Sequence, residues 1–463
     1  MSAFNGLRAF TDPETKGRVF LFPASLSQQR LWAFERKNPN QAAYNVPLAI
    51  RIKGTIETKV LENVFNEIVR RHESLRTYFT VIDDVPHQVI EEVGRTKLWV
   101  IDLSTMPGNE REAETWRQVN AEAQTPFDLS RGPLLRIILF YLNEQDYVLL
   151  LNMHHIICDG WSVTVLQQEV SLLYDAFQAG RLSPLPELPI QYADFTAWQH
   201  ELLNGEVVKR QWAYWQRQLA GAKLFEFPSD MLRSPAIGSQ AGYIRFSVPA
   251  EVSSQLEGLA RQEGTTLYMV LLAAVFLLLY RCTGISDPVI GSPFAARLQS
   301  EMNNLIGLLT NRLLLRVDCS GGPTFLELLE RTRRTTLEAY EHSQMPFEEL
   351  ASRMQPEWGI SRPQVDFVFE NSPAVELHLG STKLQSFEVN LSTAKLDLTI
   401  FMGKVNDEIW SLAKYNAGRL KEAPITLMFQ RFQTLLLTIA THFRDRITDV
   451  PISDVSTSEM TST

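Results

Sequence analysis

The sequence lacks the features of exported or membrane-spanning proteins. Only three cysteines occur among 463 residues, and Cys158, Cys282 and Cys319 are too far apart to form a CxxC pair, which predicts a protein of the reducing cytoplasm. The N-terminus lacks a charged segment followed by an apolar one, so we expect no signal peptide. The longest apolar run, Leu267–Tyr280, is shorter than the ~20 residues of a membrane span and predicts a core helix.

An excess of basic residues is also missing. The net charge is −9 at pH 7, and no run of Lys or Arg forms the basic patch that nucleic-acid binding requires. Hydrophobic residues make up 45% and charged residues 21% of the chain, as is typical of a soluble globular protein. A chain of 463 residues is too long for one ordinary core, so we expect two lobes.

Helical and strand patterns alternate along the chain. Ser25 is positioned to cap a helix, and two apolar strands flank the polar turn Asn143–Asp146. The proline-rich residues 182–190 predict an irregular connector. Both halves mix helices with apolar strands, which predicts two α/β lobes of similar build. The predicted boundaries are an N-terminal lobe at 1–181, a connector at 182–200, a C-terminal lobe at 201–452 and a disordered tail at 453–463.

The stretch NMHHIICDGWSV at residues 152–163 concentrates the most reactive residue types. His154 and His155 end an apolar strand, where successive side chains point to opposite faces. One imidazole should therefore be buried and the other exposed toward an opening. Asp159 can turn back to hold backbone or an arginine, which would fix the shape of the turn. A histidine without a paired nucleophile suits proton handling on a substrate that brings its own nucleophile.

From the residues alone, three other interpretations of this turn stay open. The two histidines could be a hydrogen-bonded pair in the core. With Cys158 and Asp159 they could bind zinc, although a tetrahedral site needs converging ligands and adjacent strand residues diverge. Cys158 could be a nucleophile activated by His155, although no third group nearby would orient that pair. We therefore expect no metal.

Together with five other phrases, the turn resembles a known family. His154–Gly160 reads HHxxxDG, the signature of the condensation domains of nonribosomal peptide synthetases, which are related to chloramphenicol acetyltransferase. The other phrases are similar to further motifs of that family and follow in the same order: SLSQQRLW (25–32), RHESLRTYF (71–79), YADFTAW (192–198), IGLLTNRLLLR (306–316) and HSQMPFEEL (342–350). This set spans nearly the whole chain.

Two segments depart from the family pattern. In the phrase IGLLTNRLLLR, Leu309, Thr310 and Arg312 replace the usual Phe, Val and Thr, while Asn311 is kept. The segment GISRPQVDFVFEN (359–371) lacks the Asn-Pro-Leu-Phe ending of the seventh motif. These departures leave the catalytic turn intact and bear on the substrate subtype.

The resemblance implies a fold and a reaction. The fold would be α/β, with two chloramphenicol-acetyltransferase-like lobes in a V shape, each a mixed sheet with helices, and a tunnel between them. Donor and acceptor carrier domains would deliver thioesters on phosphopantetheine arms, beside an adenylation domain of the same synthetase. The acceptor amine would attack the donor carbonyl and form an amide. The isolated domain would be a monomer and would itself bind no cofactor, nucleic acid or membrane.

The resemblance also implies roles for single residues. His155 is the expected general base or amine-positioning residue. The residues expected to support it structurally are His154, Asp159, Gly160 and Arg76. Arg76 would do so by pairing with Asp159, whereas Arg71 could be a solvated arginine at a helix end.

Four residues are expected to line the channel or contact the substrate. They are Trp161, Ser162, Trp198 and Asn311. Three of them have structural alternatives: Trp198 could be a core aromatic, Asn311 could satisfy a strand end, and Ser162 could cap the helix that begins at Gly160.

Other activities stay open on the same fold. An epimerisation domain shares HHxxxDG but inverts the α-carbon of a carrier-bound residue. The SQQRLW, DGWS and YADFTAW phrases favour condensation, and DGWS fits a donor that ends in an L-residue. A starter-type domain would N-acylate the first amino acid of a lipopeptide with a fatty acyl group. A non-catalytic recruitment platform would show a degraded HHxxxDG, whereas a free-standing acyltransferase would act on small molecules.

Overall fold

The chain folds into two compact units. The computed structural model describes residues 8–11, 18–92, 96–203, 205–222, 225–235, 238–358, 363–370, 377–387 and 389–450. The first unit comprises residues 1–205, 295–310 and 372–391, and the second comprises residues 206–294, 311–371 and 392–463. Residues 295–310 and 372–391 thus belong to the first unit, whereas the sequence predicted them in the C-terminal lobe at 201–452. The predicted tail at 453–463 lies outside the described residues.

The described residues form fifteen strands and eleven helices longer than one turn. The strands are β1 (Arg8–Thr11), β2 (Arg18–Pro23), β3 (Asn45–Lys53), β4 (Thr77–Ile82), β5 (Val85–Glu91), β6 (Leu98–Asp102), β7 (Leu135–Asn143), β8 (Asp146–His154), β9 (Ala241–Val248), β10 (Val289–Ala295), β11 (Thr310–Arg316), β12 (Val365–Glu370), β13 (Lys383–Phe387), β14 (Leu398–Val405) and β15 (Glu408–Asn416). The helices are α1 (Leu26–Lys37), α2 (Thr58–Arg71), α3 (Gly108–Ala123), α4 (Gly160–Gln178), α5 (Tyr192–Leu203), α6 (Glu206–Gln218), α7 (Ala250–Gln262), α8 (Leu267–Thr283), α9 (Phe325–Glu341), α10 (Phe347–Trp358) and α11 (Glu422–His442).

The first unit contains a five-stranded sheet of order β13-β3-β8-β7-β6 and a four-stranded sheet of order β1-β2-β5-β4. Strands β7 and β8 form the predicted antiparallel hairpin. Every residue of β8 is buried, which explains its nearly continuous apolar sequence, because both faces of the sheet are covered. This buried strand ends at His154, and the HHxxxDG turn follows it directly.

The second unit is built on a six-stranded mixed sheet of order β11-β10-β12-β14-β15-β9. The predicted core helix is α8, in which residues 269–279 are all buried. Gly284 ends this helix in the left-handed conformation, with φ of 74°, which glycine adopts without strain. Sheets and helices in both units confirm the predicted α/β fold class.

Helix ends and one connector can be compared directly with the sequence. Ser25 caps α1 in a reciprocal arrangement with Gln28, as predicted. Residues 182–190 form neither helix nor strand, but α5 begins at Tyr192, inside the predicted connector. Tyr192 and Phe195 are buried, because the YADFTAW phrase packs into the first unit.

None of the described helices alone is long and apolar enough to cross a membrane. One pair, α7 and α8, reaches that length and apolar character only when both helices are taken together across a bend of 105°.

Candidate active site

The turn between β8 and α4 presents its two histidines differently. His155–Ile157 forms a short 3-10 turn directly after β8. His154 is 2% exposed, whereas His155 is partly exposed. The alternation along the strand predicted this difference, because the last strand residue points into the unit and the next residue does not.

His155 has a defined tautomer. Its Nδ1 lies 2.6 Å from the carbonyl oxygen of Cys158, and its backbone N–H donates to Tyr44 O at 2.8 Å. A carbonyl oxygen can only accept a hydrogen bond, so Nδ1 carries the proton and the lone pair is on Nε2 of the neutral ring. The partly exposed imidazole therefore has the basic nitrogen that proton transfer requires.

Asp159 supplies the carboxylate of the turn, and it accepts many hydrogen bonds. It is fully buried and caps α4 by accepting from the backbone N–H of Ser162. Its oxygens also accept from both terminal nitrogens of Arg297, at 3.0 and 3.2 Å. Three further donors are the backbone N–H groups of Leu309 and Thr310 and the Thr310 hydroxyl, each at 3.1 Å.

These contacts determine the charge state of Asp159. Burial alone would raise the pKa of this carboxyl, but the charge of Arg297 and the hydrogen bonds from Arg297 and Ser162 hold the pKa below its ordinary value of 3.8. The carboxylate is therefore charged at neutral pH. As expected, it holds both an arginine and backbone, which fixes the shape of the turn.

The expected partner of Asp159 was wrong. Arg76 does not pair with Asp159. It instead donates to the carbonyl oxygen of Glu91 and lies 3.6 Å from Glu73. Burial lowers the pKa of Arg76. The pairing arginine is Arg297, which is 138 residues from Asp159 in the chain, and no motif spacing links the two.

Arg71 is also not a solvated arginine. Its side chain is 2% exposed and lies 3.1 Å from Glu169, which also contacts His72 at 2.9 Å. Burial alone would raise the pKa of Glu169, but its contacts with His72 and Arg71 lower it. The buried cluster joins the end of α2 to the middle of α4, the helix that follows the HHxxxDG turn.

Most polar side chains of the motifs form hydrogen bonds with the backbone of Leu305–Thr310, which we call the anchored segment. It belongs to the first unit, and a buried irregular segment needs side chains to satisfy its backbone groups. Every residue of the anchored segment is bonded in this way. The pairs are Leu305 O with Arg297, Ile306 N and O with His72 and Ser74, Gly307 N and O with Ser162, Leu308 O with Tyr192, and Leu309 N and Thr310 N with Asp159.

Two glycines near the turn have opposite surroundings. A Cβ on Gly307 would lie 2.1 Å from the ring of Tyr192, whereas a Cβ on Gly160 would meet no atom within 4 Å. Packing therefore requires glycine in the anchored segment. At the exposed start of α4 it does not, and open space lies beside Gly160.

The residues expected near the substrate are mostly engaged in local contacts. Trp161 is partly buried and its Nε1 donates to Asn303 O at 2.9 Å. Ser162 is buried and its hydroxyl lies 2.7 Å from Asp159. Trp198 is a partly buried aromatic packed against the core of the first unit, 6.0 Å from Phe195 between ring centroids.

Asn311 has the structural role that the sequence left open. Its Nδ2 donates to Ser343 O and Met345 O, at 2.9 and 2.8 Å. Its Oδ1 accepts from the backbone N–H groups of Arg312 and Phe347, both at 2.9 Å. This amide joins the phrase IGLLTNRLLLR to the phrase HSQMPFEEL within the second unit. Both N–H groups of the Asn311 side chain are used in these hydrogen bonds.

Zinc and thiol chemistry find little support in the geometry. Within the described part of the chain, no group of three or more His, Cys, Asp or Glu residues could hold a metal. Cys158 is fully buried and its Sγ contacts His154 O at 3.6 Å. A buried thiol of this kind behaves as a small hydrophobic residue.

The chain is similar to one family and to parts of much larger enzymes. A family model for the condensation domain matches residues 21–461. One linear gramicidin synthase polypeptide of Brevibacillus parabrevis is 41% identical over 436 residues, covering 93% of this chain and 9% of the relative. Another polypeptide of the same synthase is 42% identical over 431 residues, covering 92% and 8%. The chain thus spans less than a tenth of these curated relatives.

Solved structures agree on the fold. The X-domain from teicoplanin biosynthesis superimposes with a TM-score of 0.82 at 25% identity, covering 93% of this chain and 97% of that one. The first condensation domain of the calcium-dependent antibiotic synthetase gives a TM-score of 0.79 at 21% identity, covering 94% and 99%. The fold is thus the chloramphenicol-acetyltransferase-like fold that the sequence predicted.

Proposed function

Because the chain belongs to the condensation-domain family of nonribosomal peptide synthetases, whose members are amide-bond-forming acyltransferases, we propose that His155 is the group that assists this reaction. The amine of a carrier-bound aminoacyl thioester attacks the carbonyl of a carrier-bound acyl or peptidyl thioester. A C–N bond forms and the C–S bond breaks. The amine proton passes to Nε2 of His155 and from there to the leaving sulfur, so the donor's phosphopantetheine is released as a thiol and His155 is neutral again.

The observation that carries this proposal is the hydrogen bond from His155 Nδ1 to Cys158 O at 2.6 Å. It fixes the ring orientation and leaves the lone pair on Nε2, which a general base requires. His155 is also the histidine of the turn that is partly exposed. The amine is itself the nucleophile, so the reaction needs no Ser or Cys from the chain.

Other residues of the turn support the reaction indirectly. His154 and Asp159 hold the turn through buried hydrogen bonds. Gly160 begins α4, whose N-terminal end favours negative charge, and the open space beside it supports approach of the thioester carbonyl. Trp161 and Trp198 are proposed to border the substrate path. Ser162 and Asn311 are better explained by their structural hydrogen bonds.

Two carrier domains are the proposed partners. Each would bring its own phosphopantetheine arm, and an adenylation domain would load the acceptor carrier. The support is that the similar synthase polypeptides are more than ten times longer than the part they share with this chain.

The proposal is tested by reconstituting the reaction. One carrier is loaded with N-acetylated aminoacyl thioesters, a second with free aminoacyl thioesters, and both are mixed with the protein. Intact mass spectrometry of the second carrier should detect the dipeptidyl product. The control is His155→Ala, which should form little product.

The same experiment separates the alternatives. An inverted α-carbon on a singly loaded carrier, without amide formation, would assign an epimerisation domain instead. Product only with fatty acyl donors would assign the starter subtype. If no pair of carriers gives amide or inversion, the proposed function is wrong. The intact HHxxxDG argues against a purely recruiting role.

A further inference from the structure

Glu35 is a partly buried acidic residue, with its Oε1 shielded from solvent, that the proposed reaction does not use. It lies on α1, and its side chain is 13% exposed. Its Oε1 is 3.5 Å from Nε2 of His154, whose side chain is 2% exposed. Within the described residues, no donor makes a hydrogen bond of good geometry to this Oε1. Because a buried carboxylate is costly without an oppositely polarised neighbour, the position of Glu35 beside an imidazole requires an explanation.

The protonation of His154 gives that explanation. The backbone N–H of Ile156 donates to His154 Nδ1 at 3.1 Å, so Nδ1 must be unprotonated. The proton of the neutral ring is therefore on Nε2, the nitrogen that faces Glu35. Ile156 lies in the short 3-10 turn that begins with His155. The imidazole of His154 thus connects the carboxylate on α1 to the backbone of the catalytic turn.

A second proton on His154 would break this connection. Nδ1 would become a donor and would face the Ile156 N–H, so two donors would oppose each other. The groups around the ring are aromatic or already paired. They are Tyr44, whose hydroxyl accepts from Arg30 at 3.4 Å, and Phe127, which stacks on Arg136, itself paired with Glu122. Among the described residues, the acidic group that lies within 4 Å of His154 Nε2 is the carboxylate of Glu35.

We propose that Glu35 is a positioning residue: it orients His154 and sets its protonation, and through the Ile156 N–H it holds the turn that presents His155. The role of Glu35 in the reaction rests on the proposed function. Its effect on His154 does not, because the contacts belong to the protein without substrate. Two kinds of measurement can therefore test the two parts separately.

The first measurement is ¹⁵N NMR of histidine-labelled protein, with His154→Asn to assign the signal. In the wild-type protein, the His154 signals should show a protonated Nε2 and an unprotonated Nδ1 at neutral pH. Glu35→Gln keeps the size of the side chain and removes its charge. His154 should then take up its second proton at a pH lower by about one unit, since a nearby carboxylate favours the charged ring.

The second measurement is steady-state amide formation with loaded carriers. Glu35→Ala removes the carboxylate that faces the buried Nε2–H, so kcat should fall about tenfold while KM is unchanged. Glu35→Gln retains an acceptor and should restore most of kcat at neutral pH. The matched control is Glu206→Gln, which removes an exposed carboxylate from α6 and should change neither quantity.

The two parts of the proposal, the effect of Glu35 on His154 and its role in the reaction, can be contradicted separately. An unchanged His154 titration in Glu35→Gln would overturn the proposed pair, whatever the activity. A normal kcat in folded Glu35→Ala would overturn the role in the reaction. If the wild-type protein forms no amide, the proposed function fails and the NMR titration alone decides the role of Glu35. Urea unfolding of each variant shows whether the alanine variant folds.

Discussion

His155 and Asp159 lie in one turn but differ in almost every physical respect. Asp159 is fully buried and accepts hydrogen bonds from an arginine, two side-chain hydroxyls and three backbone N–H groups. His155 is partly exposed, and its Nδ1 bond to Cys158 O leaves the basic nitrogen on the other side of the ring. A sequence motif therefore contains residues of two kinds. One kind should be detected by measuring stability and the other by measuring rate.

The two glycines extend this comparison. Gly307 lies against the ring of Tyr192, where a Cβ has no room. Gly160 borders open space at the start of α4. Each glycine thus resembles one of the two polar residues: Gly307 belongs with Asp159 in the packed structure, and Gly160 belongs with His155 beside the space that we propose the substrate enters.

The largest effect on stability is expected for Asp159→Ala. The variant leaves Arg297 buried without its counter-charge and two N–H groups of the anchored segment without their acceptor. The free energy of unfolding should fall by about 3–5 kcal/mol, measured by urea denaturation. Asp175→Ala removes an exposed carboxylate from the same helix and should change it by less than ~0.5 kcal/mol. Equal effects of the two variants would contradict the stabilising role of Asp159.

Gly307→Ala should have the next largest effect. The added methyl lies within 2.1 Å of the Tyr192 ring, and overpacking of this kind costs about 1–3 kcal/mol. Tyr192→Ala removes the obstacle, so Gly307→Ala should cost much less in that background. A double-mutant cycle of unfolding free energies measures this coupling. If the cost of Gly307→Ala is the same in both backgrounds, the ring is not the reason for the glycine.

Gly160→Ala should have the smallest effect on stability and a larger one on rate. Alanine is favoured over glycine in helices, so the free energy of unfolding should be unchanged or rise by up to ~1 kcal/mol. The methyl would enter space that we propose the thioester uses, and amide formation should slow by about tenfold or more, as misplacement of a substrate does. A variant that is both stable and fully active would show that substrate does not pass over Gly160.

Much of this arrangement could be predicted from the sequence, because it depends on local patterns. Alternation along β8 was enough to predict that one of the two histidines is buried and the other exposed, but not which one. The position of Asp159 before a helix was enough to predict that it holds backbone or an arginine, and the structure shows both. The apolar run of α8 was enough to predict a core helix. In each case the evidence lies within about twenty residues of the chain.

The rest depends on contacts between distant residues. Arg297 and Asp159 meet only because residues 295–310, which end β10 and follow it in the chain, fold as part of the first unit. Nothing in the spacing of the motifs distinguishes Arg297 from Arg76. Gly307 and Tyr192 could likewise be recognised as separate motif residues but not as neighbours. For the same reason, the sequence predicted residues 295–310 and 372–391 in the C-terminal lobe, whereas they belong to the first unit.

We propose that His155 assists the reaction while contributing little to stability. Single-turnover amide formation should therefore be measured for His155→Ala alongside its urea midpoint. We expect a rate lower by about 10²–10⁴-fold with an unfolding midpoint equal to that of the wild-type protein. A normal rate, or a loss of rate matched by a loss of stability as large as that of Asp159→Ala, would contradict it.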